Sequence, residues 1–265
     1  MGCSVLLKKA SLVGAFFVSV VVTPAVAFCP LAVELPQVDV RRVVDGDTLV
    51  LVDGRKVRLI GLNTPELAHD GRSAEVGADA AQRRLQALVE AGGGRVGVRL
   101  GDQARDRHGR TLAHAYGVDG RNLEAQLLAE GLGWLVAVAP NGALVECQQA
   151  AERQARAARL GVWRQASVQT PERLEKSGFA LLRARVARVE RNRGGLWIEL
   201  QGGLTARIEP ALLGLFEPEQ ISTWVGRRVE VRGWVVDRGR RGGLKSGQAR
   251  WLLPLTHPAM LELLP

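Results

Sequence analysis

Apolar and polar positions follow two different periods along the chain. Across residues 38–51 and 56–61 apolar and β-branched side chains alternate or run together, and Asp53-Gly54 between them is a strong hairpin signal. This region therefore begins as a β-meander. Residues 77–89, 122–129 and 145–160 place apolar side chains three and four apart, the spacing of amphipathic helices. Residues 95–100 and 112–116 add short strands between the first two helices. Five strands with helices interspersed predict a small Greek-key barrel with helices packed on it.

A second set of β-rich runs follows at residues 179–191, 196–200, 204–208, 228–236 and 249–253, with a short helical stretch at 210–215. That order, three strands, a helix and two strands, resembles an oligonucleotide-binding (OB-fold) barrel in topology. Residues 165–177, polar and carrying Thr170-Pro171, read as the linker between the halves. The expected class is mainly β with some α, a five-stranded barrel with three helices followed by a second small OB-fold-like barrel. The expected division is 33–164, a linker at 165–177, and 178–265.

Ahead of these elements, Lys8 and Lys9 precede an apolar run at residues 12–22, then Pro24 and Ala25-Val26-Ala27. This is the order of a secretory signal peptide, residues 1–27, cleaved after Ala27. The run is short of the ~20 residues that span a bilayer, so no stable membrane insertion is expected. A lipid anchor on Cys29 is the alternative, and the bulky Phe28 before it suits that modification poorly. Periplasmic or secreted localisation follows. Loss of the peptide removes Cys3 and leaves Cys29 and Cys147 in a compartment where disulfides persist. The pair reads either as a disulfide closing a loop of more than a hundred residues or as two unrelated buried thiols. Two cysteines so far apart do not suggest ligated zinc.

The net charge of +9 is uneven: residues 28–164 hold 18 Lys and Arg against 17 Asp and Glu, whereas residues 165–265 hold 16 against 10. A basic second half favours a polyanionic partner. In it, Arg238, Arg240, Arg241 and Lys245 fall in a glycine-rich loop between the last two strands, where such barrels clasp a nucleic-acid backbone. The loop reads equally as a flexible solvated connection. Trp197, Trp234 and Trp251 are expected to fill the core, with base stacking as the alternative.

The chemistry lies in three stretches of the first half: Val44-Asp45-Gly46-Asp47-Thr48, the run from Arg58 through Asn63-Thr64-Pro65 to Glu66, and Asp106-Arg107-His108-Gly109-Arg110. Phosphodiester hydrolysis needs a hard cation held by oxygens, a base for water, and fixed positive charge for the phosphate. The three stretches contain all of these. Each alone is a plain turn, an outward-facing charge or a surface ion pair; their combination and order are specific.

These motifs resemble the staphylococcal nuclease (thermonuclease) family, over residues 38–164. The resemblance implies a calcium-dependent (Ca2+) hydrolase cutting DNA or RNA, single strands before duplex, with 3′-phosphate products. It implies calcium on Asp47, Asn63 and the Thr64 carbonyl, water activated at Glu66, and Arg58 and Arg110 on the phosphate. Asp45 and Asp106 are read as shaping turns. Two departures stand out. Asn63 replaces a second calcium-binding carboxylate, and the family's base-stacking tyrosines align with His108, Ala137 and Ala139. The contrasting expectation is a catalytically silent scaffold binding nucleic acid or a protein; retention of Asp47, Arg58, Glu66 and Arg110 favours the enzyme. No particular protein partner is implied.

Overall fold

The structure is a computed structural model that describes residues 28–31, 33–68, 71–164, 168–239, 244 and 247–265. The signal peptide, the start of the linker at 165–167, and Arg240, Arg241 and Lys245 lie outside the described residues.

The first half runs β1 (Gln37–Asp45), β2 (Thr48–Leu51), β3 (Lys56–Leu59), β4 (Leu62–Asn63), α1 (Ala78–Ala91), β5 (Arg95–Arg105), β6 (Thr111–Tyr116), α2 (Leu123–Ala129), β7 (Trp134–Leu135) and α3 (Val145–Ala157). Its five long strands close a barrel in the order β1-β2-β3-β6-β5. β3 and β6 pair in parallel; the other long-strand pairs are antiparallel. The second half runs β8 (Val168–Gln169), β9 (Gly178–Asn192), β10 (Gly195–Leu200), β11 (Leu204–Ile208), α4 (Pro218–Ser222), β12 (Arg228–Asp237), β13 (Trp251–Leu255) and β14 (Leu261–Leu263). Pairing of β12 with β9 closes β9-β10-β11-β13-β12 into a second barrel, with β8 and β14 as appendages. Its β11 and β13 are also parallel, so the two barrels share one topology. Among the described residues no helix is long and apolar enough to cross a membrane.

Local sequence explains the main elements. Gly54, at φ 88°, turns the β2–β3 hairpin where Asp53 Oδ1 accepts the Arg55 amide at 3.0 Å. α1 buries Ala78, Ala81, Leu85 and Val89, one stripe of the helix. Asn122 caps α2 by accepting the Ala125 N–H at 2.9 Å. A disulfide joins Cys29 to Cys147 on α3, with Cα atoms 5.4 Å apart across 118 positions. In the loop-entropy account a closure of that length stabilises by about 5 kcal/mol.

The halves pack together. Val136, Ala137 and Val145 of the first half join the second barrel's core, and Ala155 and Trp163 pack with Leu181 of β9. The Ala137 N–H donates to Met260 Sδ at 3.2 Å, and Thr256 Oγ1 donates to the Ala137 carbonyl at 2.7 Å. Buried beside this contact, Glu152 of α3 accepts from Arg232 of β12 at 2.6 Å. Glu230 accepts both terminal nitrogens of Arg156, each at 2.7 Å, and Arg183 Nε at 2.9 Å.

Several expectations change in detail. The run at 38–51 is two strands, because Gly46 and Asp47 turn between β1 and β2. β5 continues to Arg105, held by the Asn141 amide, which accepts the Gln103 N–H at 2.8 Å and donates to its carbonyl at 3.0 Å. The expected linker is partly built in: Val168 pairs with Leu181, and Pro171 and Leu174 are buried. The stretch at 210–215 is a 3-10 helix ahead of α4.

Candidate active site

The site is assembled where the β1–β2 turn meets the segment after β4. Asp45 Oδ1 accepts the Asp47 N–H at 2.9 Å and closes the turn. A Cβ on Gly46 would lie 2.6 Å from Ala81 Cβ and 2.7 Å from Thr64 Oγ1, so only glycine lets α1 and Thr64 close on the turn. Gln82 of α1 ties it down by donating to the Val44 carbonyl at 2.9 Å. Asp47, only 6% exposed, accepts from the Thr64 amide at 3.0 Å and from Thr64 Oγ1 at 3.3 Å. That carboxylate fixes Thr64 against the turn from 17 positions away.

Arg58 reaches in from β3. Its Nη1 donates to the carbonyls of Leu59 at 2.6 Å and Leu62 at 2.7 Å, while Nη2 lies 3.1 Å from Asp47 Oδ2 and 3.4 Å from Asn63 Oδ1. Asp47, Arg58, Asn63 and Thr64 therefore form one contiguous cluster. β7 lies close behind it: a Cβ on Gly133 would sit 2.6 Å from the Asn63 carbonyl oxygen.

Glu66 follows two residues after Thr64 and is exposed to solvent. Its amide donates to Glu75 Oε2 at 3.0 Å and its carbonyl accepts the Glu75 N–H at 2.8 Å, which pins its backbone. Arg110 comes just before β6, whose parallel register sets Thr111 beside Val57 and Leu112 beside Arg58. Asp106 Oδ1 accepts the amides of His108 and Arg110, both at 2.9 Å, and its Oδ2 accepts Arg110 Nε at 2.7 Å. The surface pair of Arg110 with Asp106 thus exists, and it engages Nε.

The charges are crowded. Burial first, then the neighbouring Asp47 carboxylate, push the Asp45 carboxyl up to about 6, against the pull of the Asp47 amide and Arg58. A bound cation would relieve that crowding. The oxygens at hand, from carboxylate, amide and carbonyl groups, are hard donors suited to calcium and poorly suited to zinc. Among the described residues no group of three or more His, Cys, Asp and Glu is gathered for a metal. Asp47, Asn63 and Thr64 form no such group, since two of the three would offer amide or carbonyl oxygen.

Other expected positions behave differently. Arg238 folds back on its own loop, donating from Nε to the Ala249 carbonyl at 3.1 Å and also from Nη2. Ala137 is 1% exposed beneath Thr256 and Met260, which closes that position to a substrate base. Trp251 is in the core at 4% exposure, as expected. Trp197 lies under the Arg207 guanidinium, 4.9 Å from its ring centre. Trp234 departs from the core reading, at 45% exposure. Sequence reasoning missed the site's supports, Gly133 and Gln82. Gly133 carried a faint signal as a glycine beside a short apolar run; Gln82 carried none.

Residues 56–165 match the protein-family model described as Staphylococcal nuclease homologue. No curated protein matches the chain. The matched stretch starts at β3 and carries Arg58, Asn63, Thr64, Glu66 and Arg110; the turn bearing Asp45 and Asp47 precedes it within the same closed barrel. Residues 56–165 of this chain are thus similar to a staphylococcal nuclease homologue domain, and β1 and β2 complete the barrel in which they lie.

Proposed function

We propose that the chain is an exported, calcium-dependent phosphodiesterase that hydrolyses DNA or RNA, single strands before duplex, leaving 3′-phosphate ends. The observation that carries this reading is the meeting of Asp47, Arg58, Asn63 and Thr64 in one largely buried cluster, with Glu66 exposed to solvent two positions after Thr64.

Asp47, the Asn63 amide oxygen and the Thr64 carbonyl would hold the cation, which when bound polarises a phosphate oxygen and offsets its charge. Glu66, accessible to solvent, orients a water and takes its proton as the water oxygen attacks phosphorus. The bond from phosphorus to the 5′ oxygen breaks, and that oxygen takes up a proton from solvent. Arg110, aimed by Asp106, presents its terminal nitrogens to the phosphate and stays charged throughout. Arg58 supplies the second positive charge from β3. Asp47 and Asn63, which would hold the cation, also face Nη2 of Arg58, so the same oxygens position this second positive charge.

The test is cleavage of denatured DNA and of RNA by the purified protein with calcium, magnesium or chelator, beside Glu66→Gln and Arg110→Ala. Calcium-dependent cutting that collapses in both variants supports the reading. A folded wild type that leaves both substrates intact with every metal refutes it, and a nucleic-acid-binding scaffold becomes the better description.

A further inference from the structure

The chain has few aromatic side chains, among them six tryptophans and a single tyrosine. That tyrosine, Tyr116, is 1% exposed and has no face for a base. Three of the remaining rings form a row that starts at the candidate active site. Trp134 of β7 pairs directly with Asn63 of β4. Residues opposed in an antiparallel pair project from the same face, with Cβ atoms roughly 5 Å apart. The Trp134 ring centre lies 5.5 Å from that of Phe179, and Phe179 lies 5.5 Å from Trp234. Phe179 and Trp234 are themselves opposed across β9 and β12, on the outer face of the second barrel.

One buried ion pair fixes both ends of this row. Glu152 Oε1 accepts the amide of Leu135, next to Trp134, at 2.7 Å, and Arg232 Nη1, two positions before Trp234, at 2.8 Å. The row is therefore held in register with the cluster around Asn63. It ends on a half-exposed indole that core packing does not account for.

We propose that Trp234, braced by Phe179 and Trp134, is a stacking platform for a base of a single-stranded nucleic acid whose scissile phosphate lies at the cluster of Asp47, Arg58 and Asn63. This rests on the phosphodiesterase reading and extends it to substrate selection. Single strands offer free base faces and duplexes do not, so the platform favours single strands without reading sequence. The excess positive charge of the second half suits the same ligand.

The test uses the full chain with Glu66→Gln, so that substrate survives, and a fluorescein-labelled oligothymidylate in calcium, read by anisotropy. Adding Trp234→Ala is expected to weaken binding about tenfold, and Trp234→Phe to restore most of it. Blunt duplex binding is expected to change less than twofold. Equal affinity for the single strand with and without the Trp234 ring overturns the platform while leaving the phosphodiesterase reading intact. An equal loss for duplex also overturns it, since the ring then acts through the fold. If the folded Glu66→Gln chain binds no oligonucleotide, both readings fall together.

Discussion

Gly46 shows how one residue serves both fold and chemistry. An Asp-Gly-Asp triplet in sequence reads as a turn, and the turn is there, but its glycine is required by the approach of Ala81 and Thr64 to within 2.7 Å of where a Cβ would be. Gly46→Ala is expected to destabilise by about 1–3 kcal/mol through overpacking, read from urea unfolding, and to weaken calcium binding by displacing Thr64. Arg110→Ala is expected to lower kcat by about a hundredfold to a thousandfold, as loss of a charge-stabilising donor does. Asp106→Asn, which leaves Arg110 charged but loosens its Nε partner, is expected to give a smaller loss of kcat with little change in melting temperature. The motif residues were legible because phosphate chemistry demands those side-chain types close together in short segments. Arg238 donates to the Ala249 carbonyl, a partner that sequence alone does not reveal for a loop arginine.

At the scale of elements, periodicity revealed what is long and amphipathic. α1, α2 and α3, and most strands of both barrels, fall within a few residues of their expected places, apart from the split of 38–51 into β1 and β2 and the longer β5. β4, β7, β8 and β14 did not show, since two or three residues carry no period, yet β4 and β7 carry Asn63 and Trp134. Their positions depend on contacts made far away in sequence, such as the bond from Leu135 to Glu152. The disulfide ties the arm before β1 to α3, so reduction is expected to lower unfolding stability by up to about 5 kcal/mol. Unfolding in denaturant with and without reductant reads this directly.

At the scale of the whole molecule, two barrels of one topology are locked by a contact that sequence gave little sign of. Glu152, Glu230 and Arg232 are buried between the halves, and the partly buried Arg156 and the exposed Arg183 reach Glu230 to complete a network. Burial alone would raise the Glu230 carboxyl, but Arg156, then Arg183 and Arg232, hold it below its ordinary 4.5. A carboxyl depressed on folding adds stability above its unfolded value and loses it as pH falls through the folded one. Glu230→Gln is therefore expected to cost about 3–5 kcal/mol near neutral pH, with the gap to wild type closing as pH falls below the ordinary 4.5. Melting temperature of both chains against pH checks the sign.

The central claim is a metal-dependent phosphodiesterase centred on Asp47, Arg58, Asn63 and Thr64, with Glu66 as base. Its most direct test is the rate at which the purified chain cuts denatured DNA and RNA across a calcium titration, with Glu66→Gln as the paired control. Cutting is expected to rise with calcium, stop in chelator and fall at least about a hundredfold in the variant. Cutting that continues unchanged in chelator, or at full rate without Glu66, would contradict it.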